Sequence, residues 1–397
     1  MTRNADRDAP HQGRAQPVRP EGRLTPRRPG APPTRRGAGP STANTHAVTL
    51  VPSIARLARD VEAFPASDGR IYLLRGGREA DLVIENAGPG ERTLVSLLAE
   101  GAGPVDQLDA RVAGLDVNAA LATLAEHHLL EDSSPTAPSS LTAEEQARYD
   151  RQLPYVGVAG QERLRDAHVA ILGVGGLGSW TLCGLACAGV GRVRIVDDDT
   201  IDLTNLNRQL LYRRADVGRR KVEVAAEAIA AFNPSIHVEP VGVRVSSADE
   251  VARVVEGTDL VVVTADWPMY DLARWVDRAC RDRGIAWIGS SQVPPLVRVG
   301  PLYAPGRTAC HECQERAARR AFPLYDELAA WREANPLAPA TLGWASGLIG
   351  SLLAGEVIHE LTRVAEPATL GTAISIDLRT LEIAREPVAR DAECRAC

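Results

Sequence analysis

Val169-Ala-Ile-Leu-Gly-Val-Gly-Gly-Leu-Gly178 is the stretch that decides the fold. Four apolar residues, Val169 to Leu172, read as a buried strand, and the glycines that follow open a helix. Gly173, Gly175 and Gly178 fit G-x-G-x-x-G in the strand–turn–helix context that gives the pattern meaning, with Gly176 inside the same turn. Such glycines let the backbone approach a phosphate, and the helix N-terminus supplies free N–H groups and a positive dipole end. A second strand, Arg194-Ile195-Val196, runs into Asp197-Asp198-Asp199. Asp197 lies where folds of this kind place an acid on the ribose hydroxyls. The expectation is an α/β, Rossmann-like nucleotide-binding domain with a mostly parallel sheet.

Taken alone, the glycine turn would suit a nicotinamide or flavin enzyme. Asn205, Arg208, Gln209 and Lys221 make a polar, cationic run that hydride transfer does not need. Triphosphate chemistry does need it, because charge builds on the phosphates as pyrophosphate leaves.

Arg148-Tyr-Asp-Arg-Gln152, the Gly173–Gly178 turn, Asp197-Asp-Asp-Thr-Ile-Asp-Leu-Thr-Asn-Leu-Asn-Arg-Gln209 and Gly218-Arg-Arg-Lys221 occur in this order. Together they resemble the ThiF/MoeB/HesA family, bacterial relatives of ubiquitin-activating enzymes, over residues from about Leu141 to Cys397. The resemblance implies an ATP-dependent adenylyltransferase that uses Mg²⁺ and works as a homodimer. It implies that Asp197 binds the ribose and that Asp199 lies near metal and phosphates. Asn205, Arg208 and Lys221 would hold the phosphates, with Gln209 in the same nucleotide site. Arg151 would reach the triphosphate of the neighbouring subunit, and Asp266 would assist Mg²⁺ at the reacting phosphate. Arg148 is expected to be a structural partner. After Asp266 the chain departs from the family pattern with Trp267-Pro268-Met269-Tyr270-Asp271, and Arg274 is displaced. Trp267 would stack on an adenine or a substrate side chain, or sit in the core. The departure points to altered substrate contacts rather than to lost ATP binding.

Of seven cysteines, Cys310-His-Glu-Cys313 and Cys394-Arg-Ala-Cys397 form two Cys-x-x-Cys pairs. Four thiolates in two such pairs suit a closed, tetrahedral, structural Zn²⁺ site, and the resembling family places its zinc there. His311 reads as a bystander. Cys183, Cys187 and Cys280 read as buried thiols. From Gln314 to Leu342 there is no cysteine, the region where several relatives form a thioester or persulfide. The activated acyl group then goes to an outside nucleophile, or the adenylate is the product. Microcin-type peptide adenylyltransferases resemble that pattern.

A chain of 397 residues suggests two folded units. Residues 1–46 are Arg/Pro-rich with few large apolar side chains and read as a disordered tail. Residues 47–132 contain strand patterns at Ile71–Leu74 and Asp81–Ile84, then helical patterns at Glu91–Glu100, Val105–Val112 and Asn118–Leu130. This order reads as a small winged-helix-like α+β domain, and residues 133–140 read as a linker. The domain resembles the element of peptide natural-product enzymes that takes up a leader peptide as an added strand. A net charge of −6 argues against nucleic-acid and membrane partners, and no apolar run reaches a membrane-spanning length. With no apolar N-terminal signal core either, a cytoplasmic protein is expected. The resulting expectation is an enzyme that activates a carboxylate of a ribosomally made precursor peptide. The alternatives are activation of a small ubiquitin-like sulfur-carrier protein, a non-catalytic leader-docking subunit of a cyclodehydratase and, more distantly, a nicotinamide oxidoreductase.

Overall fold

The computed structural model describes residues 54–397 apart from 59, 77–80, 102–103, 133–138 and 336–339. The expected tail lies outside the described residues, as does most of the expected linker.

The N-terminal part comprises β1 (Ala55–Leu57), β2 (Val61–Pro65), β3 (Ile71–Arg75), β4 (Leu82–Ile84), α1 (Pro89–Glu100), α2 (Val105–Arg111), α3 (Val117–Glu126) and β5 (Leu130–Asp132). Strands β2, β3 and β4 form an antiparallel sheet in that order, and β1 pairs with β5. Leu73, Leu94, Leu98, Leu108, Leu121 and Leu129 build a core of their own, distinct from those of the large sheet. Helix α3 starts where the Asp116 carboxylate accepts the Ala119 N–H at 3.0 Å, an N-cap that satisfies an orphan donor. It stops at Glu126, short of the expected Leu130, because His128 turns the chain with a φ of 55° and releases Leu130 into β5. Strands β1, β2 and β5 went unread in the sequence: two are three residues long, and β2 ends in proline.

The rest of the chain runs α4 (Ala143–Tyr149), α5 (Leu153–Asp166), β6 (His168–Leu172), α6 (Gly176–Ala188), β7 (Arg192–Val196), α7 (Lys221–Phe232) and β8 (His237–Val241). It continues through α8 (Ala248–Val254), β9 (Leu260–Val263), α9 (Asp271–Arg283), β10 (Ala286–Val293), β11 (Leu296–Tyr303), α10 (His311–Ala321) and α11 (Tyr325–Ala334). Helix α12 (Gly343–Thr362) and strands β12 (Thr372–Asp377) and β13 (Ile383–Pro387) complete it. One eight-stranded sheet has the order β13-β12-β11-β10-β9-β6-β7-β8. Strands β8, β7, β6, β9 and β10 are parallel, and β10 to β13 are antiparallel.

All five residues of β6 are buried, as a central parallel strand covered on both faces requires. Ile171, Val193, Ile195 and Val262 face a core that includes Leu182 and Leu185 of α6 and Ile349 and Leu353 of α12. Ala170, Leu172, Val261 and Val263 face a second core with Val251 of α8 and Val276 of α9. Because β6 leads on to β7 on one side while its other neighbour β9 leads on to β10, the connections after β6 and after β9 diverge. The carboxyl ends of these strands therefore border a crevice, the place where open α/β sheets bind ligands. No helix among the described residues is long and apolar enough to cross a membrane.

Helices α6 and α12 approach through glycine. A Cβ added at Gly184 would stand 2.6 Å from the Ala354 Cβ, and one at Gly350 would stand 2.5 Å from the Trp180 Cβ. Gly350→Ala should therefore lower unfolding stability by about 1–3 kcal/mol, read as a shifted denaturant midpoint. Gly355→Ala, where an added methyl meets nothing within 4 Å, should instead gain about 0.5–1 kcal/mol of helix propensity. Equal midpoints for the two variants would remove the close-approach account.

Candidate functional site

The glycine turn is closed by contacts that exclude side chains. Gly173 has a φ of +95°, and a Cβ there would meet the Ala265 nitrogen at 2.7 Å. A Cβ at Gly178 would lie 1.9 Å from the Gly173 carbonyl oxygen and 2.8 Å from Thr264 Oγ1. The Thr264 hydroxyl donates to that same carbonyl at 2.6 Å and so fastens the turn to the end of β9. Gly175 is more open: its added Cβ would meet only Gln209 Nε2, at 3.7 Å. Helix α6 begins at Gly176, so its first N–H groups point into the crevice with the positive end of the helix dipole.

Around this turn the structure gathers most of the residues named from the sequence. The Asp197 carboxylate accepts the N–H of Val174 at 2.8 Å and of Asp199 at 2.9 Å, which binds the end of β7 to the glycine turn. Burial pushes this carboxyl above its usual value, with the Lys221 charge acting in the opposite direction. Lys221, 5% exposed at the start of α7, pairs through Nζ with Asp199 at 2.6 Å. Its N–H also donates to the Asp199 carbonyl at 3.1 Å, so α7 delivers a fixed ammonium group beside β7. Asn205 closes a single 3₁₀ turn, Leu203–Asn205, by accepting the Asp202 N–H at 3.0 Å.

Arg208 is half-buried and donates to the Thr204 carbonyl at 3.0 Å and to Asn207 Oδ1 at 2.9 Å. Its stem crosses the helix start: a Cβ at Gly176 would stand 3.3 Å from the Arg208 Cδ. Gln209 is 3% exposed, and its Oε1 has no hydrogen-bond partner. Asp266 is exposed just beyond β9, at the same end of the sheet.

Arg151 does not join this group within one chain. It follows α4, whose Tyr149 packs against Gly189, and Gln152 donates to the Ala188 carbonyl at 2.8 Å. Those contacts are at the C-terminal end of α6, about 20 Å of helix from the glycine turn. Arg148 pairs with Glu144 at 3.4 Å, a local helix pair. Trp267 is 39% exposed and Met269 41%, so neither is a core residue. Tyr270 meets the Tyr325 ring edge-on with centroids 6.0 Å apart, which joins this segment to α11.

Sequence reading missed Thr264 and Trp180. The Trp180 indole N–H donates to the Arg208 carbonyl at 3.1 Å, a contact between segments with no fixed spacing to betray it. Cys187 is a correction: it was expected to be a buried thiol and is exposed, because it falls on the outward side of α6. Cys280 is buried and Cys183 intermediate, and burial drives the Cys183 thiol up to about 11.

Cys310, Cys313, Cys394 and Cys397 converge. Sulfur separations are 3.8 Å for Cys310–Cys313, 3.6 Å for Cys310–Cys394 and 3.3 Å for Cys313–Cys397. Ligands at about 2.3 Å from a tetrahedral Zn²⁺ stand about 3.8 Å apart, so the cluster has near-zinc dimensions. A disulfide would need sulfurs at about 2.05 Å. The N–H of Asp391 points at Cys313 Sγ and that of Ala396 at Cys394 Sγ, both at 3.4 Å, as suits thiolates held in a knuckle. His311 lies outside the cluster and donates its N–H to Asp277 at 3.1 Å. We expect one zinc per chain by elemental analysis. Cys394→Ser should lower the melting temperature by about 5 °C or more, the effect of losing about 2 kcal/mol in a domain of this size. Unchanged melting after removal of the metal would refute a structural role.

Comparison with known proteins fits this geometry. The ThiF family model matches residues 149–396. The molybdopterin-synthase adenylyltransferase of Salmonella typhimurium is 32% identical over 262 residues, which is 65% of this chain and 99% of that protein. The sulfur carrier protein adenylyltransferase of Thermus thermophilus is 46% identical over 127 residues, 32% of this chain and 46% of that protein. Among solved structures, that of Escherichia coli MccB with succinimide superposes with a TM-score of 0.69 at 24% identity, covering 87% of this chain and 99% of that one. From the glycine turn, the acidic end of β7, the cations beside it and these relatives together, the chain belongs to the ThiF family and is an ATP-dependent adenylyltransferase of the ThiF/MoeB kind.

Proposed function

We propose that this adenylyltransferase activates a carboxylate of a ribosomally made precursor peptide as an acyl-adenylate, with residues 47–132 holding the leader and residues 141–397 carrying out the chemistry. The observation that carries this reading is the N-terminal unit. The molybdopterin-synthase relative is matched over 65% of the chain, whereas the MccB likeness extends over 87% of it. One such structure is described as the microcin C7 biosynthetic enzyme MccB in complex with N-formylated MccA. In this chain the three-stranded sheet leaves β2 and β4 as its outer strands, each with an unpaired backbone edge among the described residues. A flexible peptide is recognised by such an edge through main-chain hydrogen bonds, and tethering raises the local concentration of its reacting end.

In the reaction a carboxylate oxygen of the peptide attacks the α-phosphorus of ATP. The bond from that phosphorus to the bridging oxygen breaks, and its electron pair leaves with pyrophosphate. Asp197 would orient the ribose, and the N–H groups at the start of α6 would receive phosphate. Arg208 and Lys221 would neutralise the departing charge, with Asn205 and Gln209 completing the polar wall. Asp199 and Asp266 offer the oxygen ligands that Mg²⁺ takes, and the ion when bound would add positive charge at the phosphates. Arg151, exposed and remote from its own glycine turn, would serve the partner's site in a homodimer. ATP as substrate and reduced zinc ligands suit the cytoplasm.

Activation of a small sulfur-carrier protein is a second reading, favoured by the named activities of the sequence relatives. Under both readings, Arg208→Ala and Lys221→Ala should reduce ATP–pyrophosphate exchange by at least about a hundredfold with little change in melting temperature. Wild-type exchange in either variant would show the site to be misplaced. A chain beginning at Ser139 separates the readings, since it keeps the large sheet, the glycine turn and the cysteine cluster. It should lose affinity for full-length precursor while high concentrations of the C-terminal peptide restore turnover. Equal processing of the precursor by the short and full chains would favour the carrier-protein reading.

A further inference from the structure

Trp180 lies on the second turn of α6, behind the glycine turn, where its indole does two things at once. One face lies on α12: a Cβ at Gly347 would stand 3.4 Å from the indole Cε2 and Cζ2, and Gly350 receives the Trp180 Cβ. The indole N–H reaches away from α12 and donates to the Arg208 carbonyl at 3.1 Å. The neighbouring carbonyl, that of Asn207, is met by the first residue of α12, where a Cβ at Gly343 would come within 2.4 Å of it. The Arg208 main chain is therefore gripped between two helices. Its side-chain stem is laid over Gly176, the first residue of α6, within 3.3 Å of that residue's added Cβ.

Without this grip, the Arg208 side chain would depend on local hydrogen bonds. Arg208 is half-buried, and the hydrogen bonds of its guanidinium run to Thr204 and Asn207 on the same turn. Such bonds hold the side chain to its own loop and do nothing to place that loop against α6. The Trp180 bond supplies that placement, because α6 carries both the donor and the N-terminus that faces the phosphates. Trp180 also cannot drift, since its indole is backed by glycines of α12 that leave no side chain to yield.

We propose that Trp180 is a positioning residue for phosphate binding, fixing the Arg208 backbone so that the guanidinium stem lies across the helix α6 N-terminus. This rests on the reading of Arg208 as a phosphate contact. Its effect on phosphate passes through Arg208 alone.

The test is a double-mutant cycle on the dissociation constant of MgATP, using the full chain as wild type, Trp180→Phe, Arg208→Ala and the double variant. Phenylalanine keeps a ring against α12 and removes the N–H donor, so melting temperatures report whether packing survives. Trp180→Phe should weaken MgATP binding by about three- to tenfold, the range for one neutral hydrogen bond. In the Arg208→Ala background the same change should weaken binding no further. A Trp180→Phe effect of equal size in both backgrounds, or none in either, overturns the proposal. Wild-type binding by Arg208→Ala overturns the reading of Arg208 itself, and the proposal with it.

Discussion

The contact on which the rest of this protein depends is the one between Gly178 and the carbonyl of Gly173. A Cβ there would lie 1.9 Å from the oxygen, so the turn exists only while both positions lack side chains that intrude. The turn brings the start of α6 against the end of β6 and points its first N–H groups into the crevice beside β9. Thr264 then uses the same carbonyl as an acceptor, and Asp197 takes the Val174 N–H one residue away. Three strand ends are thereby fastened to a single peptide group, the one between Gly173 and Val174. Packing elsewhere serves to keep that group still, and α12 is the chief instrument, lying on α6 through glycine rather than through bulky ridges.

Electrostatics in the site follow from this arrangement. Lys221 is almost wholly buried, and a buried ammonium needs a counter-charge; Asp199 provides it at 2.6 Å. Asp197 is partly desolvated but receives two backbone N–H groups, the donors a carboxylate needs when water is scarce. The site therefore holds its charges in place before any ligand arrives. That pre-organisation is what electrostatic stabilisation of a leaving pyrophosphate requires, because little reorganisation is left for the reaction to drive.

Much of this was legible in the sequence where the signal was local. The glycine turn, the acidic end of β7, the cations after it and the two cysteine pairs are all patterns of fixed short spacing, and the structure brings each set together. Strands β6 and β7 were legible as apolar runs for the same reason. What escaped was anything defined by two distant segments. Trp180 has no spacing relation to Arg208 or to Gly347, and its contact depends on the crossing of α6 and α12. Strands β1 and β5 escaped because a three-residue pairing leaves no period to count, and β2 because it ends in proline. Cys187 was misjudged because α6 is apolar around much of its circumference, so composition did not say which side faces outward.

The cysteine cluster has a reach beyond the few residues that form it. Cys313 and Cys394 bracket about 80 residues, and that span contains most of α10 and all of α11, α12, β12 and β13. A metal held by both pairs closes this span into a covalent-like loop, and closure of that length removes conformational freedom chiefly from the unfolded chain. Helix α12, with the glycines that shelve Trp180, lies inside the loop. A chain that has lost its tertiary packing but kept its metal would still have α12 tethered near the end of β11, with a much smaller volume to search before it finds α6 again. The thiolates would thus govern how readily the nucleotide end of the sheet reassembles, although they touch none of it.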